Sequence, residues 1–254
     1  MTAGTPGRRV ALVTGVGRRV GIGAAVAERL AFDGFDVGLT YWSGYDERMA
    51  WGRDVGGIDD IVARITAEGG RSTTIEADLS HVDAPAAIFD EVETVLGTVT
   101  ALVLCHCESV DSNILETTIE SFDRHVAVNA RASWLLVAEF GRRFRSAPGE
   151  GRIVSLTSDH TVGNLPYGAT KAALDRITLA AAHEFAHLGV TANVINPGAT
   201  DTGWMTPDLV DQVRRATPLG RVGQPADAAN LVSFLCSPQG GWINGQLLHS
   251  NGGA

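Results

Sequence analysis

The chain has 254 residues, of which 44% are hydrophobic and 19% are charged, a composition that excludes a disordered protein. Its formal net charge of −9 disfavours nucleic acid and anionic membranes as partners. No apolar run is long enough for a transmembrane helix, and residues 1–9 lack the apolar core of a signal peptide, so we expect a flexible tail there. Three cysteines do not make a disulfide framework, which favours a cytoplasmic protein.

Short apolar segments alternate with longer helical ones from Val10 onward. Strands are predicted at residues 10–14, 37–41, 72–76, 101–104, 152–157, 190–195 and 246–249, and helices at residues 22–33, 59–68, 85–96, 121–145, 167–188 and 225–235. Because the strands are continuously apolar, they are expected to be parallel and covered on both faces. The sequence therefore predicts a single doubly wound, Rossmann-type α/β domain over residues 10–254, with a mostly or wholly parallel seven-stranded sheet flanked by helices.

Two stretches do not fit this alternation. Residues 42–57 are rich in glycine and carry Trp42, Tyr45 and Trp51, a composition that suits packing at least as well as function. Residues 200–216 follow the sixth strand. We expect them to form a lid over a substrate site, because long loops in compact domains often have a function.

A glycine-rich turn, TGVGRRVGIG at residues 14–23, joins the first strand to the first helix. Glycines there allow a tight turn and a close approach of the backbone to a pyrophosphate at the helix N-terminus. The turn predicts a dinucleotide site, and glycines that serve only tight packing are the alternative. The expected binding residues of the turn are Gly15, Gly17, Gly21, Ile22 and Gly23.

The second strand ends in TYW at residues 40–42 and lacks the carboxylate that would select NAD through the ribose 2′-OH. Arg18 and Arg19 in the turn carry guanidinium groups suited to a 2′-phosphate. We therefore expect NADP(H) to be preferred over NAD(H); the alternative is that both arginines are solvated or hold the pyrophosphate. After the third strand, Asp78 either accepts from an adenine amino group or caps the following turn.

Tyr167 and Lys171 are four residues apart at the start of a helix, so their side chains lie on one face, one turn apart. A nearby ammonium lowers the pKa of a phenol, which predicts a proton donor and acceptor. Lys171 is the only lysine in the chain, and arginine is not interchangeable with it. An ordinary surface pair is the alternative, but the hydroxyl-rich Ser155-Leu156-Thr157-Ser158 segment precedes this helix.

These motifs resemble those of the short-chain dehydrogenase/reductase family, from about Val10 to Gly253, and most of all its 3-oxoacyl-carrier-protein-reductase-like members. The matching elements are the glycine-rich turn, Asp78, Asn129, Ser158, Tyr167 with Lys171, Asn196-Pro197-Gly198 with Thr202, Asn244-Gly245-Gln246 and Gly252-Gly253.

The resemblance implies a role for each matching residue. Tyr167 would exchange the proton of the reacting oxygen and Ser158 would hydrogen-bond that oxygen. Lys171 would lower the pKa of Tyr167 and hold the nicotinamide ribose, while Asn129 would hold a water that relays protons to it. Pro197, Gly198 and Thr202 would border the nicotinamide. The remaining expected cofactor-binding residues are Tyr41, Leu79, Cys105 and Thr200.

The implied activity is the reduction of a carbonyl to an alcohol, or the reverse, by hydride transfer. The substrate would be a small molecule, free or bound to a carrier. The implied assembly is a homotetramer, with the helices at residues 121–145 and 167–188 at one interface.

Three features depart from the family pattern. The glycine-rich turn is two residues longer than usual. Cys105-His106-Cys107-Glu108 stands where the family has Asn-Asn-Ala-Gly, so Cys105 or His106 must tie the central sheet or leave that role empty. The cluster lacks the second ligand pair of a zinc site, and we expect no metal. Tyr167 follows Ser158 by only nine positions, so Thr157 or Ser155 are alternatives to Ser158.

The sequence leaves two other functions as alternatives. A dinucleotide-binding scaffold without catalysis, with a regulatory or assembly role, is favoured by the altered Cys105–Glu108 segment but disfavoured by the Tyr167 and Lys171 pair. A Rossmann-type methyltransferase shares the glycine-rich turn, yet it has no use for that pair.

Overall fold

The computed structural model describes residues 8–160 and 162–254. Its seven strands form one sheet in which every neighbouring pair is parallel, in the order β3-β2-β1-β4-β5-β6-β7. The strands are β1 (Arg9–Thr14), β2 (Phe35–Tyr41), β3 (Ser72–Glu76), β4 (Val99–Leu104), β5 (Arg152–Leu156), β6 (Thr191–Asn196) and β7 (Leu247–His249). The predicted parallel, doubly wound α/β fold is confirmed.

Helices connect successive strands and cover both faces of the sheet. They are α1 (Ile22–Phe32), α2 (Ser43–Glu47), α3 (Gly57–Ala67), α4 (Ala84–Val95), α5 (Ile119–His125), α6 (Ala132–Arg143), α7 (Leu165–Glu184), α8 (Pro207–Ala216) and α9 (Pro225–Cys236), with short helical turns at Val126–Arg131, Ala186–Leu188 and Pro238–Trp242. Buried side chains of α1, α3 and α9 pack on one face of the sheet, and those of α4, α6 and α7 pack on the other. Among the described residues, no helix has both the length and the apolar character needed to cross a membrane.

The strand order reverses between β1 and β4. Each strand runs in the same direction, so the carboxyl ends of both strands open at one edge of the sheet, where helices leave toward opposite faces. Open α/β sheets bind their ligands in the crevice at this position. The fold therefore places the glycine-rich turn, which follows β1, beside the residues that follow β4.

Predicted and observed elements differ mainly at their ends. The helix predicted at residues 121–145 is observed as α5, a π-helical turn at Val126–Arg131 and α6, which together form a continuous path with a local irregularity. Such π turns are frequent at functional sites. The turn carries Asn129, one of the expected site residues.

The two unplaced stretches each contain a helix. Residues 42–57 include the five-residue α2, which is too short for an amphipathic period to show in the sequence. Residues 200–216 end in α8, which begins at Pro207 with the Thr206 hydroxyl accepting from the Leu209 backbone N–H. Residues 1–7 of the expected tail lie outside the described residues, whereas Arg9 begins β1.

Candidate functional site

A cleft of about 810 Å³ opens at the carboxyl edge of the sheet, over the crevice between β1 and β4. It is lined by the glycine-rich turn, by the segments after β2, β3, β4 and β6, and by the start of α7. All of the expected site residues line it except Arg19 and Asn129. The structure therefore brings the predicted dinucleotide turn and the predicted proton-transfer pair into one cavity.

The turn needs glycine at two of its positions for steric reasons. Gly15 has a positive φ of 75°, and a Cβ there would lie 2.7 Å from the backbone of His106. A Cβ on Gly23 would lie 2.5 Å from the carbonyl oxygen of Gly15, so this glycine lets α1 begin directly against the turn. Gly21 caps α1 without a side-chain hydrogen bond, which leaves the first amides of the helix for another acceptor. Gly17 and Ile22 also line the cleft, and the turn fits a pyrophosphate.

Arg18 and Arg19 lie on different sides of the turn. Arg18 lines the cleft, donates to the carbonyl oxygen of Thr202 and lies with its guanidinium carbon 4.7 Å from the centre of the Trp51 ring. Arg19 turns away, and its guanidinium pairs with Asp54 and Asp60. The structure does not bring Arg19 to the cleft, because these two carboxylates hold it at the surface.

Asp78 caps the turn after β3, which is the second of the two roles predicted for it. Its carboxylate accepts from the Ser80 backbone N–H at 2.9 Å and from both terminal nitrogens of Arg124 at 3.0 and 3.1 Å. Burial acts to raise the pKa of Asp78, but the hydrogen bonds from Arg124 and Ser80 outweigh it and hold the pKa below its ordinary value. Tyr41 and Leu79 line the cleft on this side.

Within the altered Cys105–Glu108 segment, His106 is the residue that connects the central strand β1 with the π turn. Its Nδ1 lies 2.7 Å from the Thr14 hydroxyl at the end of β1, and its Nε2 lies 3.1 Å from the carbonyl oxygen of Val128 in the π turn. Burial lowers the pKa of His106 to about 3, so the ring is neutral. Nε2 then donates to Val128, and Nδ1 accepts from Thr14.

Cys105 lines the cleft beside this histidine. Burial raises the pKa of its thiol to about 12, so the group is protonated at neutral pH. Among residues 8–160 and 162–254, no three His, Cys, Asp or Glu side chains come together as a metal site.

Tyr167 and Lys171 lie in the first turns of α7, and both line the cleft. The Lys171 ammonium donates to the carbonyl oxygen of Leu156 at 2.8 Å and lies 5.6 Å from the centre of the Tyr167 ring. Burial raises the pKa of Tyr167, the nearby Cys107 adds to this shift, and the Ser158 hydroxyl opposes it. Because burial dominates, the phenol is protonated at neutral pH, and the lowering of its pKa by Lys171 stays a prediction.

The short connection before α7 still brings Ser158 to the cleft. Its hydroxyl accepts from the His160 backbone N–H at 3.1 Å. Thr157 also lines the cleft, whereas the Ser155 hydroxyl is buried against that of Thr178 at 2.7 Å and does not. Of the three predicted alternatives, Ser158 and Thr157 thus line the cleft.

Asn129 lies behind the cleft wall and holds the segment after β4. Its amide oxygen accepts from the Glu108 backbone N–H at 2.7 Å. Its amide nitrogen donates to the Glu108 carbonyl oxygen and to the Thr170 hydroxyl, both at 2.9 Å. These three bonds connect the π turn with the β4 segment and with α7, so the side chain fixes the walls on either side of Lys171.

The segment after β6 closes the cleft near Tyr167. Gly198 has a φ of 61°, its backbone N–H donates to the Asn196 side-chain oxygen at 3.0 Å, and a Cβ there would lie 2.5 Å from Asn251. Glycine is therefore required for this turn. Pro197, Thr200 and Thr202 line the cleft beside it, and the exposed Trp204 extends the wall into the expected lid.

Sequence reasoning missed one part of the site. Trp42, Tyr45, Asp46, Met49 and Trp51 line the cleft from the segment after β2. The only signal in the sequence was the length and aromatic content of residues 42–57, and that signal suited packing equally well.

Comparisons with known proteins agree with this geometry. Residues 15–254 match the family model described as enoyl-(acyl carrier protein) reductase. An uncharacterized oxidoreductase, YjdA, of Bacillus subtilis is 36% identical over 250 residues, with 96% of each chain covered. The NADPH-dependent aldehyde reductase-like protein of Arabidopsis thaliana chloroplasts is 34% identical over 260 residues, with 96% of this chain and 93% of the relative covered.

A solved structure of similar shape is that of a short chain dehydrogenase from Burkholderia cenocepacia in complex with NADP. It has a TM-score of 0.84 and 34% identity, and the match covers 97% of both chains. Similarity of sequence and shape along nearly the whole length shows that this chain belongs to the short-chain dehydrogenase/reductase family of NAD(P)-dependent oxidoreductases.

Proposed function

We propose that the protein is an NADPH-dependent reductase that converts the carbonyl group of a small aldehyde or ketone to an alcohol. The observation that carries the proposal is the shared cleft, in which Tyr167, Lys171 and Ser158 stand opposite a glycine-rich turn suited to a pyrophosphate. The Arabidopsis relative that is named as an NADPH-dependent aldehyde reductase-like protein supports the same substrate class.

Arg18 supports NADPH over NADH. Of the cationic side chains at the turn, Arg19 is neutralised by two aspartates, whereas among the described residues Arg18 makes no ion pair and faces the cleft. A guanidinium in this position suits the additional phosphate of NADPH. The Burkholderia protein, whose structure holds NADP, supports this preference.

The proposed chemistry divides between cofactor and protein. When bound, NADPH supplies a hydride to the carbonyl carbon. Ser158 orients the carbonyl oxygen, and Tyr167 gives its hydroxyl proton to that oxygen as the oxygen gains alkoxide character. Because burial raises the pKa of Tyr167, the phenol holds its proton until the developing alkoxide takes it. Lys171 then stabilises the phenolate until solvent restores the proton.

The segments around the pocket entrance favour a partly apolar substrate. Trp204 and Thr202 face the cleft from the expected lid at residues 200–216, and His160 faces it from the Ser158–Tyr167 connection. Binding of a carrier-linked acyl group, as in 3-oxoacyl-carrier-protein reductases, stays a prediction.

The experiment is a turnover assay with NADPH and a panel of aldehydes, ketones and 3-oxoacyl thioesters. Tyr167→Phe keeps the ring but removes the proton donor, so kcat should fall by about a hundredfold or more while the Kd for NADPH changes less than about twofold. Turnover is read from the loss of NADPH absorbance, and Kd from its fluorescence.

Two results would contradict the proposal. Full kcat in Tyr167→Phe would show that another group moves the proton. NADPH binding without turnover of any carbonyl compound would favour the non-catalytic scaffold instead.

A further inference from the structure

The segment at residues 42–51, which we call the strap, lines the cleft with five of its side chains. It leaves the end of β2, forms α2 and returns toward the surface at Trp51. Its first turn is anchored where the Ser43 backbone N–H donates to the Glu76 carboxylate at 3.1 Å. From that anchor the strap reaches both walls of the crevice between β1 and β4.

On the glycine-turn side, the strap places a carboxylate against the backbone that suits a phosphate. A Cβ on Gly17 would lie only 2.8 Å from an Asp46 carboxylate oxygen. The other oxygen of Asp46 accepts from the Trp51 indole N–H at 2.8 Å, and the Arg18 guanidinium covers the Trp51 ring. Asp46 is 8% exposed, so its charge is held in the cleft and not in solvent.

On the opposite side, the strap is attached to the segment after β4. The Tyr45 hydroxyl donates to the carbonyl oxygen of Ser109 at 3.3 Å, across 64 positions of the chain. Arg48 donates to the Glu108 carboxylate at 2.6 Å. That carboxylate is buried, and Asn129 holds the backbone of Glu108 from behind, so this attachment has a rigid partner.

Two arginines pack against the Trp42 ring of the strap. The guanidinium carbons of Arg124 and Arg48 lie 4.4 and 5.5 Å from the centre of the Trp42 ring. Arg124 is itself paired with Asp78 and Glu108. The strap is therefore in contact with the last residue of β3, with the turn after β1 and with the segment after β4.

A dinucleotide in this crevice must lie between the glycine-rich turn and the residues that follow β4. Tyr45 and Asp46 span that same interval. We propose that the strap is an autoinhibitory lid, which a dinucleotide opens when its phosphate displaces Asp46 from Gly17 and breaks the Tyr45 contact with Ser109. The inference rests on the proposed dinucleotide function of the cleft. It adds that the strap and the dinucleotide compete for the same part of the cleft.

The test measures NADPH binding to three variants by stopped-flow fluorescence. Tyr45→Phe removes the hydroxyl that reaches Ser109, and Asp46→Asn removes the charge but keeps an acceptor for Trp51. Each should bind NADPH faster and about fivefold more tightly, because Tyr45→Phe loses a hydrogen bond worth about 1 kcal/mol and Asp46→Asn loses the negative charge that would face the phosphate. Arg53→Gln is the matched control, because Arg53 pairs only loosely with Glu47 at the surface, 3.6 Å away.

A second readout follows the strap itself. Amide hydrogen exchange of residues 43–51 in the wild-type chain should rise when NADPH is added, because the attached lid is released. Protection of these amides, or weaker NADPH binding by both variants, would mean that the strap clamps the dinucleotide and would overturn the inference.

The outcomes also separate this inference from the proposed function. If the wild-type chain does not bind NADPH but Tyr45→Phe or Asp46→Asn does, both ideas hold and the lid is strong. If neither the wild-type chain nor any variant binds NADPH or NADH, both ideas fail. Unchanged binding in all variants, with normal turnover, would overturn the lid alone.

Discussion

Arg18 and Arg19 are adjacent in the chain, yet their surroundings assign them different roles. Arg18 faces the cleft, whereas Arg19 is held at the surface by Asp54 and Asp60. Arg18→Gln should raise the Kd for NADPH about tenfold and leave the Kd for NADH nearly unchanged, because a hydrogen bond to a charged group is worth about 1.5 kcal/mol or more. Fluorescence titration with both dinucleotides measures this difference.

Arg19→Gln is the matched control for that titration and should alter neither Kd by more than about twofold. Equal weakening toward NADPH and NADH in Arg18→Gln would mean that Arg18 acts by holding Thr202, and would contradict its assignment to the 2′-phosphate.

His106 makes the stability of the fold depend on pH. Burial lowers its pKa to about 3, whereas in the unfolded chain the ring titrates near 6.5. Below that pH the His106 ring is protonated in the unfolded state but not in the folded state. The stability that the neutral, buried ring allows is therefore present at neutral pH and is lost as the pH falls. When the pH falls from about 7 to about 5, this group lowers the free energy of unfolding by about 2 kcal/mol.

Urea unfolding of the wild-type chain and of His106→Asn at these two pH values tests the assignment. The variant keeps a polar side chain of the kind that the family has here, and its unfolding free energy should fall less between the two values, by about that amount. An identical pH dependence in both proteins would show that His106 is not the titrating group.

Some site residues were predictable because their geometry is local. Tyr167 and Lys171 share a helix face through their spacing of four, and Gly15 and Gly23 follow from a turn that joins a strand to a helix. Arg19 was assigned wrongly to the cleft because its two aspartates are 35 and 41 residues away in the chain. Contacts of this kind depend on the folded arrangement and leave no periodic signal.

Among the elements, the long regular ones were predicted and the short irregular ones were not. α1, α4 and α9 carry buried faces that show in the sequence, so their ends were placed to within about two residues. α2 has only five residues, and what fixes it is the attachment of Tyr45 and Arg48 to the segment after β4. The strap is thus defined by tertiary contacts, and its function as a lid could be inferred only from them.

The whole sheet was predictable because continuous apolar strands between helices permit few arrangements. The homotetramer implied by the family resemblance stays a prediction. It is supported by exposed apolar side chains on α5 and α6, where Ile119, Phe122 and Trp134 are 76%, 38% and 52% exposed. The small residues of α7 differ in exposure: Ala181 is buried in the core, whereas Ala172 is exposed.

Substitution of these side chains tests the assembly. Phe122→Asp combined with Trp134→Asp places two charges in the expected interface and should convert the tetramer to smaller species in sedimentation equilibrium, because burying an unpaired charge is costly. Phe32→Asp, at an aromatic residue of α1 that is 67% exposed, is the control and should leave the mass unchanged. A wild-type chain that sediments as a monomer would contradict the prediction.

One cleft is expected both to hold the dinucleotide and to move the proton. A crystal structure of the complex with NADP examines the two roles together. We expect the nicotinamide ribose within hydrogen-bond distance of the Lys171 ammonium, the nicotinamide ring between Tyr167 and Gly198, and the strap displaced from Gly17. A dinucleotide bound outside this cleft, or bound with its nicotinamide remote from Tyr167, would contradict the account.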